Sequence, residues 1–249
     1  MANRATFDFS GAAVLVTGGT SGIGHAIATT FAAAGADVTV TGTRATASDY
    51  DTDLHGFAFR QLDTTDTASV DALVASVDRL DVLVNNAGAN FPGGRDEWEP
   101  EAFARALQLN LAGPMRLTVG CRAALAASEL DGGGNVVSIL SMGAFRSVPI
   151  VPGYGSAKAG LAALTWNLAR HWAADGIRVN AVAPGLIDTP MTAPLASLPQ
   201  LLEPEMAHTP LGRMGTPAEV AGAVAFLASS AARYVTGATL AVDGGYLVA

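Results

Sequence analysis

The sequence predicts an α/β protein: a single doubly wound domain with a seven-stranded, mostly parallel sheet and helices on both faces. Short apolar runs alternate with longer segments of helical periodicity along nearly the whole chain. The apolar runs contain few polar positions, which is typical of parallel strands buried on both faces. No internal repeat, charge block or linker interrupts the 249 residues, so we expect one domain over 1–249.

Each predicted strand is a short run of apolar or β-branched residues, which favour the extended conformation. In chain order these runs are Ala12–Thr17, Val38–Thr41, Phe57–Leu62, Val82–Val84, Asn135–Leu140, Ile177–Val182 and Thr239–Val242. The segments between them that carry helices are long enough for the crossover that joins two parallel strands.

Each predicted helix is a longer stretch with apolar residues three and four positions apart. The helices are Ile23–Ala34, Thr67–Val77, Asp96–Ala127, Gly153–Ala174 and Pro217–Ser229. Gly35 ends the first helix, Asp66 is a suitable N-cap for the second, and Gly113-Pro114 predicts a kink in the third. A Pro- and Leu-rich insertion occupies residues 187–208, and we expect a lid at about 187–212.

Composition argues against several classes of function. The formal net charge is -8 with only 14 Lys and Arg, so a nucleic-acid partner is not expected. The stretch 9–36 has no charged residue and is long enough to span a bilayer, but its glycines would break a membrane helix. No signal peptide is evident, and we expect a cytoplasmic protein. One cysteine, Cys121, and four scattered histidines predict no metal site.

A glycine-rich segment, Thr17-Gly18-Gly19-Thr20-Ser21-Gly22-Ile23-Gly24, joins the first strand to the first helix. Small residues let backbone N–H groups approach a pyrophosphate, and the helix N-terminus adds a positive partial charge. The spacing differs from G-x-G-x-x-G, and the absence of Gly-Lys-Ser/Thr excludes a Walker P-loop. The strand–turn–helix context favours dinucleotide binding over a plain glycine-rich turn.

Further motifs follow other strands at the same edge of the predicted sheet, where doubly wound folds bind ligands. Together they resemble the classical short-chain dehydrogenase/reductase family along nearly the whole chain. The segments that carry the resemblance are Thr17–Gly24, Asn85-Asn86-Ala87-Gly88, Asn110, Ser141, Tyr154, Lys158, Pro184-Gly185 with Thr189, and Val242-Asp243-Gly244-Gly245.

The resemblance implies a Rossmann-like fold and an oxidoreductase that moves a hydride between a nicotinamide cofactor and a ketone or secondary alcohol. It implies a catalytic tetrad of Asn110, Ser141, Tyr154 and Lys158. The cofactor-binding residues that it implies are Gly18, Thr20, Ser21, Gly22, Ile23, Gly24, Asn86, Ala87, Gly88, Tyr154, Lys158, Pro184, Gly185, Ile187 and Thr189. It also places Asp63 beside the adenine, although helix capping is an alternative role for Asp63.

The chemistry of Tyr154 and Lys158 can be argued from their spacing. They lie four residues apart on one predicted helix and therefore share a face. Free tyrosine has a pKa of about 10, and bringing it near neutrality would need roughly 4 kcal/mol from the adjacent ammonium. Such a tyrosine could serve as a general acid and base, with the Ser141 hydroxyl orienting the substrate oxygen. Taken singly, Ser141 could be a turn residue, Asn110 a helix irregularity, and Tyr154 with Lys158 a surface pair.

The residues after the second strand bear on the choice of cofactor. A carboxylate there would bind the 2′-hydroxyl of NAD, but Gly42 stands at that position. Thr43 and Arg44 could bind a 2′-phosphate instead, which favours NADP. Ser21 stands where many NADP-binding members of the family carry a basic residue, so NAD remains the alternative.

The predicted substrate is a small molecule with an apolar body beside one carbonyl or hydroxyl group. The side chains that suggest it are Met191, Leu195, Leu198, Leu201, Leu202 and Met206 in the insertion, with Phe91, Met142, Phe145 and Val148 opposite. The two long Ala-rich helices predict a D2 homotetramer. A Tyr–Lys epimerase or dehydratase, and a non-catalytic nucleotide-binding or regulatory protein, remain alternatives.

Overall fold

The computed structural model describes residues 5–91 and 94–249. Within these ranges seven strands form one sheet in the order β3-β2-β1-β4-β5-β6-β7, and every neighbouring pair is parallel. The strands are β1 Ala13–Val16, β2 Asp37–Gly42, β3 Ala58–Gln61, β4 Val82–Asn85, β5 Asn135–Ile139, β6 Arg178–Pro184 and β7 Thr239–Val242. The doubly wound fold is confirmed, and the sheet is wholly rather than mostly parallel.

The helices connect and cover these strands. They are α1 Gly22–Ala33, α2 Thr67–Ala75, α3 Pro100–Leu107, α4 Gly113–Gly120, α5 Arg122–Ala126, α6 Pro152–Trp172, α7 Ala193–Ala196, α8 Pro199–Ala207 and α9 Pro217–Ala228. Helices α1 and α9 pack together on one face of the sheet, whereas α2, α4 and α6 lie on the other. No helix in 5–91 or 94–249 is long and apolar enough to cross a bilayer.

The alternation of side chains along β1 explains why the sheet has two cores. Val14 and Val16 belong to the cluster that contains Phe31 of α1, whereas Leu15 belongs to the cluster that contains Trp172 of α6. Successive side chains of a strand point to opposite faces, so an apolar run buries its residues on both. The three β1 side chains are almost fully buried, as their apolar run predicted, and so are Phe31 and Trp172.

The expectation of one long helix over 96–127 is wrong. The first helix begins at Pro100, a π-helical turn at Gln108–Ala112 separates α3 from α4, and Cys121 separates α4 from α5. The first break therefore falls one turn before the expected kink at Gly113-Pro114. A π turn inserts an extra residue into the helix, and such turns are frequent at functional sites. Asn110 lies within this turn.

The edge of the sheet at β3 is only thinly covered. The connection from β2 to β3 contains just a 3-10 turn at Ala47–Asp49, and α2 ends at Ala75. Three of the four residues of β3 are exposed. The 43–50 segment therefore follows β2 without a covering α-helix.

Candidate active site

The glycine-rich segment Thr17–Gly24 forms the turn between β1 and α1. Gly18 and Gly22 have φ values of +63° and +52°, in the left-handed region that favours glycine. A Cβ atom on Gly24 would lie 2.3 Å from the carbonyl oxygen of Gly18, so no larger residue fits there. Ser21 is the N-cap of α1 but makes no side-chain cap bond. The N–H groups of the first turn of α1 are therefore free of a capping side chain within the described residues.

Asn86, which follows β4, ties this turn to the neighbouring loop. Its side-chain amide donates to the carbonyl oxygens of Thr17 and Gly18 at 2.9 and 3.1 Å. The Thr17 hydroxyl oxygen in turn accepts from the backbone N–H groups of Asn86 and Ala87 at 3.0 and 2.9 Å. The loops after β1 and β4 thus form one unit at the point where the strand order reverses.

The turn after β6 lies beside the turn that follows β1. The N–H of Gly185 donates to the carbonyl oxygen of Val242 at 3.0 Å, and Ile187 is buried. Thr189 faces the start of α1, since its side chain would lie 3.4 Å from a Cβ atom on Gly22. The structure therefore brings the predicted turns after β1, β4 and β6 to the same edge of the sheet.

Tyr154 and Lys158 lie on the first two turns of α6, with the Lys158 ammonium 5.5 Å from the centre of the Tyr154 ring. Lys158 is buried and donates to the carbonyl oxygen of Ile139 at 2.8 Å. Ser141 follows β5, and its hydroxyl oxygen accepts from the N–H of Gly143 at 3.1 Å. These three side chains are therefore grouped beside the carboxyl end of the sheet.

The expectation that Lys158 lowers the pKa of Tyr154 is wrong for this structure. Burial raises the pKa of Tyr154 above its usual value of 10.0, and the charge of Glu97 acts in the same direction, whereas the Ser141 hydroxyl opposes both. Burial also lowers the pKa of Lys158 to about 8. Burial of the Lys158 ammonium and partial burial of the Tyr154 phenol disfavour both charged forms, and this effect outweighs the attraction expected from sequence spacing.

Asn110 projects into the site from the π-helical turn. Its amide nitrogen donates to the carbonyl oxygens of Ala89 and Ala106 at 2.9 and 3.0 Å. Its amide oxygen is buried and accepts no hydrogen bond from any residue in the described ranges. A Cβ atom on Gly88 would lie 2.5 Å from that oxygen and 3.4 Å from the Lys158 ammonium. The oxygen and the ammonium therefore both lie beside Gly88. A polar ligand or water that donates to this oxygen would satisfy it.

Arg44, at the end of β2, is held by its own loop. Its guanidinium lies 4.9 Å from the centre of the Tyr50 ring and donates to the carbonyl oxygen of Asp49. A Cβ atom on Gly42 would lie only 2.2 Å from the Tyr50 hydroxyl oxygen, which is closer than the two atoms can approach. Thr43 is exposed beside them. The Tyr50 ring thus leaves no room for an acidic side chain at position 42, a steric limit that the sequence alone did not indicate.

Asp63 makes local contacts. Its carboxylate accepts from the backbone N–H and hydroxyl of Thr65 at 2.8 and 2.7 Å, while Asp66 caps α2 through the N–H of Ala68 at 2.9 Å. Asp66, and not Asp63, therefore caps α2, and the Asp63 side chain is exposed shortly after the end of β3.

Two residues of this region were missed by sequence reasoning. Glu97 is fully buried and binds the first turn of α6, and Tyr50 holds Arg44. Nothing in the sequence around Glu97 indicated its burial, because its partners are backbone N–H groups and one of them is 57 residues away in the chain. Tyr50 lies in a segment without periodicity, so only its aromatic character beside an Arg-containing turn could have suggested a contact.

Known proteins match the chain along nearly its whole length. The family model described as enoyl-(acyl carrier protein) reductase matches residues 18–247. The cis-4-hydroxycyclohexanecarboxylate dehydrogenase of Sinomonas cyclohexanicum is 41% identical over 248 residues, covering 96% of this chain and 97% of that protein. The galactitol 2-dehydrogenase (L-tagatose-forming) of Cereibacter sphaeroides is 37% identical over 253 residues, covering 98% of each.

Solved structures agree with these relatives. The crystal structure of a gluconate 5-dehydrogenase from Burkholderia cenocepacia, in complex with NADP and tartrate, has a TM-score of 0.86 at 28% identity. The match covers 98% of this chain and 98% of that one. The chain belongs to the short-chain dehydrogenase/reductase family, and the resemblance seen in its motifs is confirmed.

Proposed function

We propose that the chain is an oxidoreductase that interconverts ketones and secondary alcohols with NADP(H), using Tyr154 as the general acid and base. The observation that carries this proposal is the grouping of Ser141, Tyr154 and Lys158 at the edge of the sheet where the loops after β1, β4 and β6 converge. Relatives over the full length of the chain are named dehydrogenases, which supports the same reaction class.

The residues present fit a nicotinamide dinucleotide. The turn around Gly18 and Gly22, with the N-terminus of α1 free of a capping side chain, suits a pyrophosphate. The buried Lys158 ammonium and the unsatisfied oxygen of Asn110 both lie beside Gly88, where polar groups of a ligand would be recognised. When bound, the cofactor supplies or accepts the hydride.

The chain's own residues would manage the proton. In ketone reduction the Tyr154 hydroxyl donates its proton to the substrate oxygen, which the Ser141 hydroxyl orients; alcohol oxidation reverses this transfer. The raised pKa of Tyr154 keeps that hydroxyl protonated at neutral pH, which suits the general acid of reduction. The Lys158 ammonium lies 5.5 Å from the centre of the Tyr154 ring. The Asn110 amide oxygen, which lies beside Gly88 with that ammonium, can hold a water through which a proton reaches the tyrosine.

Arg44 supports NADP(H) as the preferred cofactor. Its guanidinium is exposed at the end of β2, where a 2′-phosphate would be recognised, and no carboxylate occupies Gly42. A related gluconate 5-dehydrogenase was crystallised with NADP, which agrees with this choice. The carboxylate of Asp49 lies nearby but already accepts from the N–H and hydroxyl of Thr46 at 2.8 and 2.9 Å.

Exposed apolar side chains in the 187–212 segment and on α4 and α6 support the proposed substrate lid and the proposed assembly. Met191, Leu198 and Leu201 of the 187–212 segment remain 41–48% exposed, which supports a lid over an apolar substrate body. The faces of α4 and α6 also present exposed apolar side chains, such as Val119 and Trp166. We extend the proposal to a D2 homotetramer that buries these helices and to a cytoplasmic location.

Turnover tests the reaction class. Purified protein is incubated with NADPH and a panel of cyclic, aliphatic and polyhydroxy ketones, and the loss of absorbance at 340 nm is followed. We expect reduction of at least one ketone, and a loss of at least about 10²-fold in kcat for Tyr154→Phe. Tyr234→Phe is the matched control, because Tyr234 is fully exposed. Equal rates for Tyr154→Phe and wild type would contradict the proposed role.

A further inference from the structure

We propose that the buried carboxylate of Glu97 is a positioning residue for the reaction, which fixes the first turn of α6, and with it Tyr154, against the loop that follows β4. The inference deepens the proposed function and rests on Tyr154 being the acid and base. Glu97 is an acidic side chain with no solvent exposure, and it lies outside the predicted tetrad.

Both oxygens of Glu97 are used. Oε2 accepts from the backbone N–H of Tyr154 at 2.7 Å, and Oε1 accepts from the backbone N–H of Phe91 at 2.8 Å. A buried carboxylate is tolerated only when its oxygens are hydrogen-bonded or paired with a cation. Within 5–91 and 94–249 Glu97 forms no salt bridge, so these two N–H groups are its principal partners.

The first turn of α6 needs this acceptor. Its N-cap residue, Val151, provides no side-chain cap bond, and Pro152 has no N–H, so Tyr154 carries one of the first N–H groups that need a partner. The partial positive charge of a helix N-terminus favours an anion at this place. Gly153 leaves room for it: a Cβ atom there would lie 3.2 Å from Glu97 Oε2 and 2.9 Å from the Cβ of Ala106.

Glu97 also holds the loop after β4, through its Oε1 atom. Phe91 has a φ of +45°, a left-handed conformation that is uncommon outside glycine, and its N–H is bound by Glu97. Next to Glu97, the indole N–H of Trp98 donates to the carbonyl oxygen of Pro149 at 2.9 Å. The Glu97-Trp98 pair therefore anchors α6, the segment before it, and the Asn86–Phe91 loop in one arrangement.

The charge of Glu97 also reaches the Tyr154 hydroxyl. Burial is the main cause of the raised pKa of Tyr154, and Glu97 raises it further, while Ser141 lowers it. Lys158, on the same helix, is the cation that faces the ring, at 5.5 Å. Neutralising Glu97 should therefore let Tyr154 ionise at lower pH, an effect that loss of packing alone would not produce.

The test compares Glu97→Gln with Glu99→Gln. Glu99 is exposed and binds Arg95, so its variant controls for loss of charge in the same segment. For Glu97→Gln we expect kcat to fall about 10- to 100-fold, NADPH affinity to stay within about twofold, and the Tyr154 ring carbon resonance to titrate at lower pH. Glu99→Gln should match wild type in all three. A folded Glu97→Gln protein with wild-type kcat and wild-type titration would overturn the inference.

A wild-type measurement decides the matter if Glu97→Gln does not fold. Hydrogen exchange of the Tyr154 and Phe91 amides should be slow, because both are bound to a buried carboxylate. Exchange as fast as in an exposed loop would overturn the inference. Neither this exchange nor the tyrosine titration requires a substrate. A failure to reduce any ketone would therefore count against the proposed function and not against the positioning role of Glu97.

Discussion

The hydroxyl oxygen of Tyr50 accepts a 2.8 Å hydrogen bond from the backbone N–H of Arg44, and the Arg44 guanidinium lies over the Tyr50 ring. In this way the short connection between β2 and β3 orders a cation at the end of β2 without a covering helix. The same ring blocks the space above Gly42. The relationship leads directly to two predictions about cofactor choice.

Arg44→Ala should weaken NADPH binding and leave NADH binding almost unchanged. A guanidinium–phosphate contact contributes roughly 1.5–3 kcal/mol, which corresponds to a factor of about 10 to 150 in Kd. NADH lacks the 2′-phosphate and should not sense the change. Quenching of tryptophan fluorescence on titration with each cofactor measures both constants, and Arg105→Ala, an exposed residue on α3, is the control. Equal weakening of the two cofactors would remove the main support for NADP.

Gly42→Asp should not by itself create an NAD-dependent enzyme. Its side chain would meet the Tyr50 hydroxyl, since even a Cβ atom lies 2.2 Å from it. Gly42→Asp combined with Tyr50→Ala opens that space, so the double variant should shift the NADPH/NADH preference toward NADH at least about tenfold further than Gly42→Asp alone. Binding titrations of the three proteins measure this. A full switch in Gly42→Asp alone would show that Tyr50 does not block the position.

Lys158→Met should stabilise the fold while abolishing turnover. Burial lowers the pKa of Lys158 from 10.5 to about 8, so below pH 8 the folded state carries a charge that the unfolded state holds more easily. That difference is about 3 kcal/mol, and losing the bond to Ile139 offsets about 1 kcal/mol, leaving a net gain of about 2 kcal/mol at pH 7.

Urea unfolding across pH checks the sign of this prediction. Above the folded pKa of about 8 the lysine of the folded protein is neutral, so the advantage of Lys158→Met should shrink as pH rises toward the unfolded value of 10.5. The two unfolding free energies are compared at pH 6.5 and 9.5. A difference that stays constant with pH, or a wild type that is the more stable at pH 6.5, would contradict it.

Trp166→Glu should disrupt the proposed tetramer. Trp166 on α6 is a large apolar side chain that is 52% exposed, and a charge at its position in a buried interface would oppose association. Light scattering should give four chains per particle for wild type and fewer for this variant. Tyr234→Glu, at a fully exposed position, should remain tetrameric. A wild-type monomer at working concentration would refute the assembly.

The sequence was sufficient for the sheet and for the places of its loops, because these depend on local patterns. The alternation of Val14, Leu15 and Val16 between two cores is a direct consequence of a buried strand. The π-helical turn around Asn110 could not be predicted in that way. Within that turn the Asn110 side chain donates to the carbonyl oxygens of Ala106 and Ala89. Ala89 lies in the loop after β4, so this contact is absent from local sequence patterns.

The electrostatics of the site were also beyond sequence reasoning. The spacing of Tyr154 and Lys158 indicates a shared helical face, but the direction of each pKa depends on burial, which the spacing does not contain. Glu97 illustrates the same limit, since its partners are backbone N–H groups 6 and 57 residues away in the chain. Such contacts exist only once the elements have packed.

Isotope transfer tests the central claim, that a hydride passes from the nicotinamide cofactor to the carbonyl carbon of a ketone, most directly. A reducible ketone is incubated with wild-type protein and NADPH that carries deuterium at both C4 positions of the nicotinamide, in ordinary water, and the alcohol is examined by mass spectrometry and NMR. We expect one deuterium on the carbinol carbon. A product without it, or one that acquires deuterium at that carbon only when the solvent is D₂O, would contradict the account and favour the epimerase or dehydratase alternative.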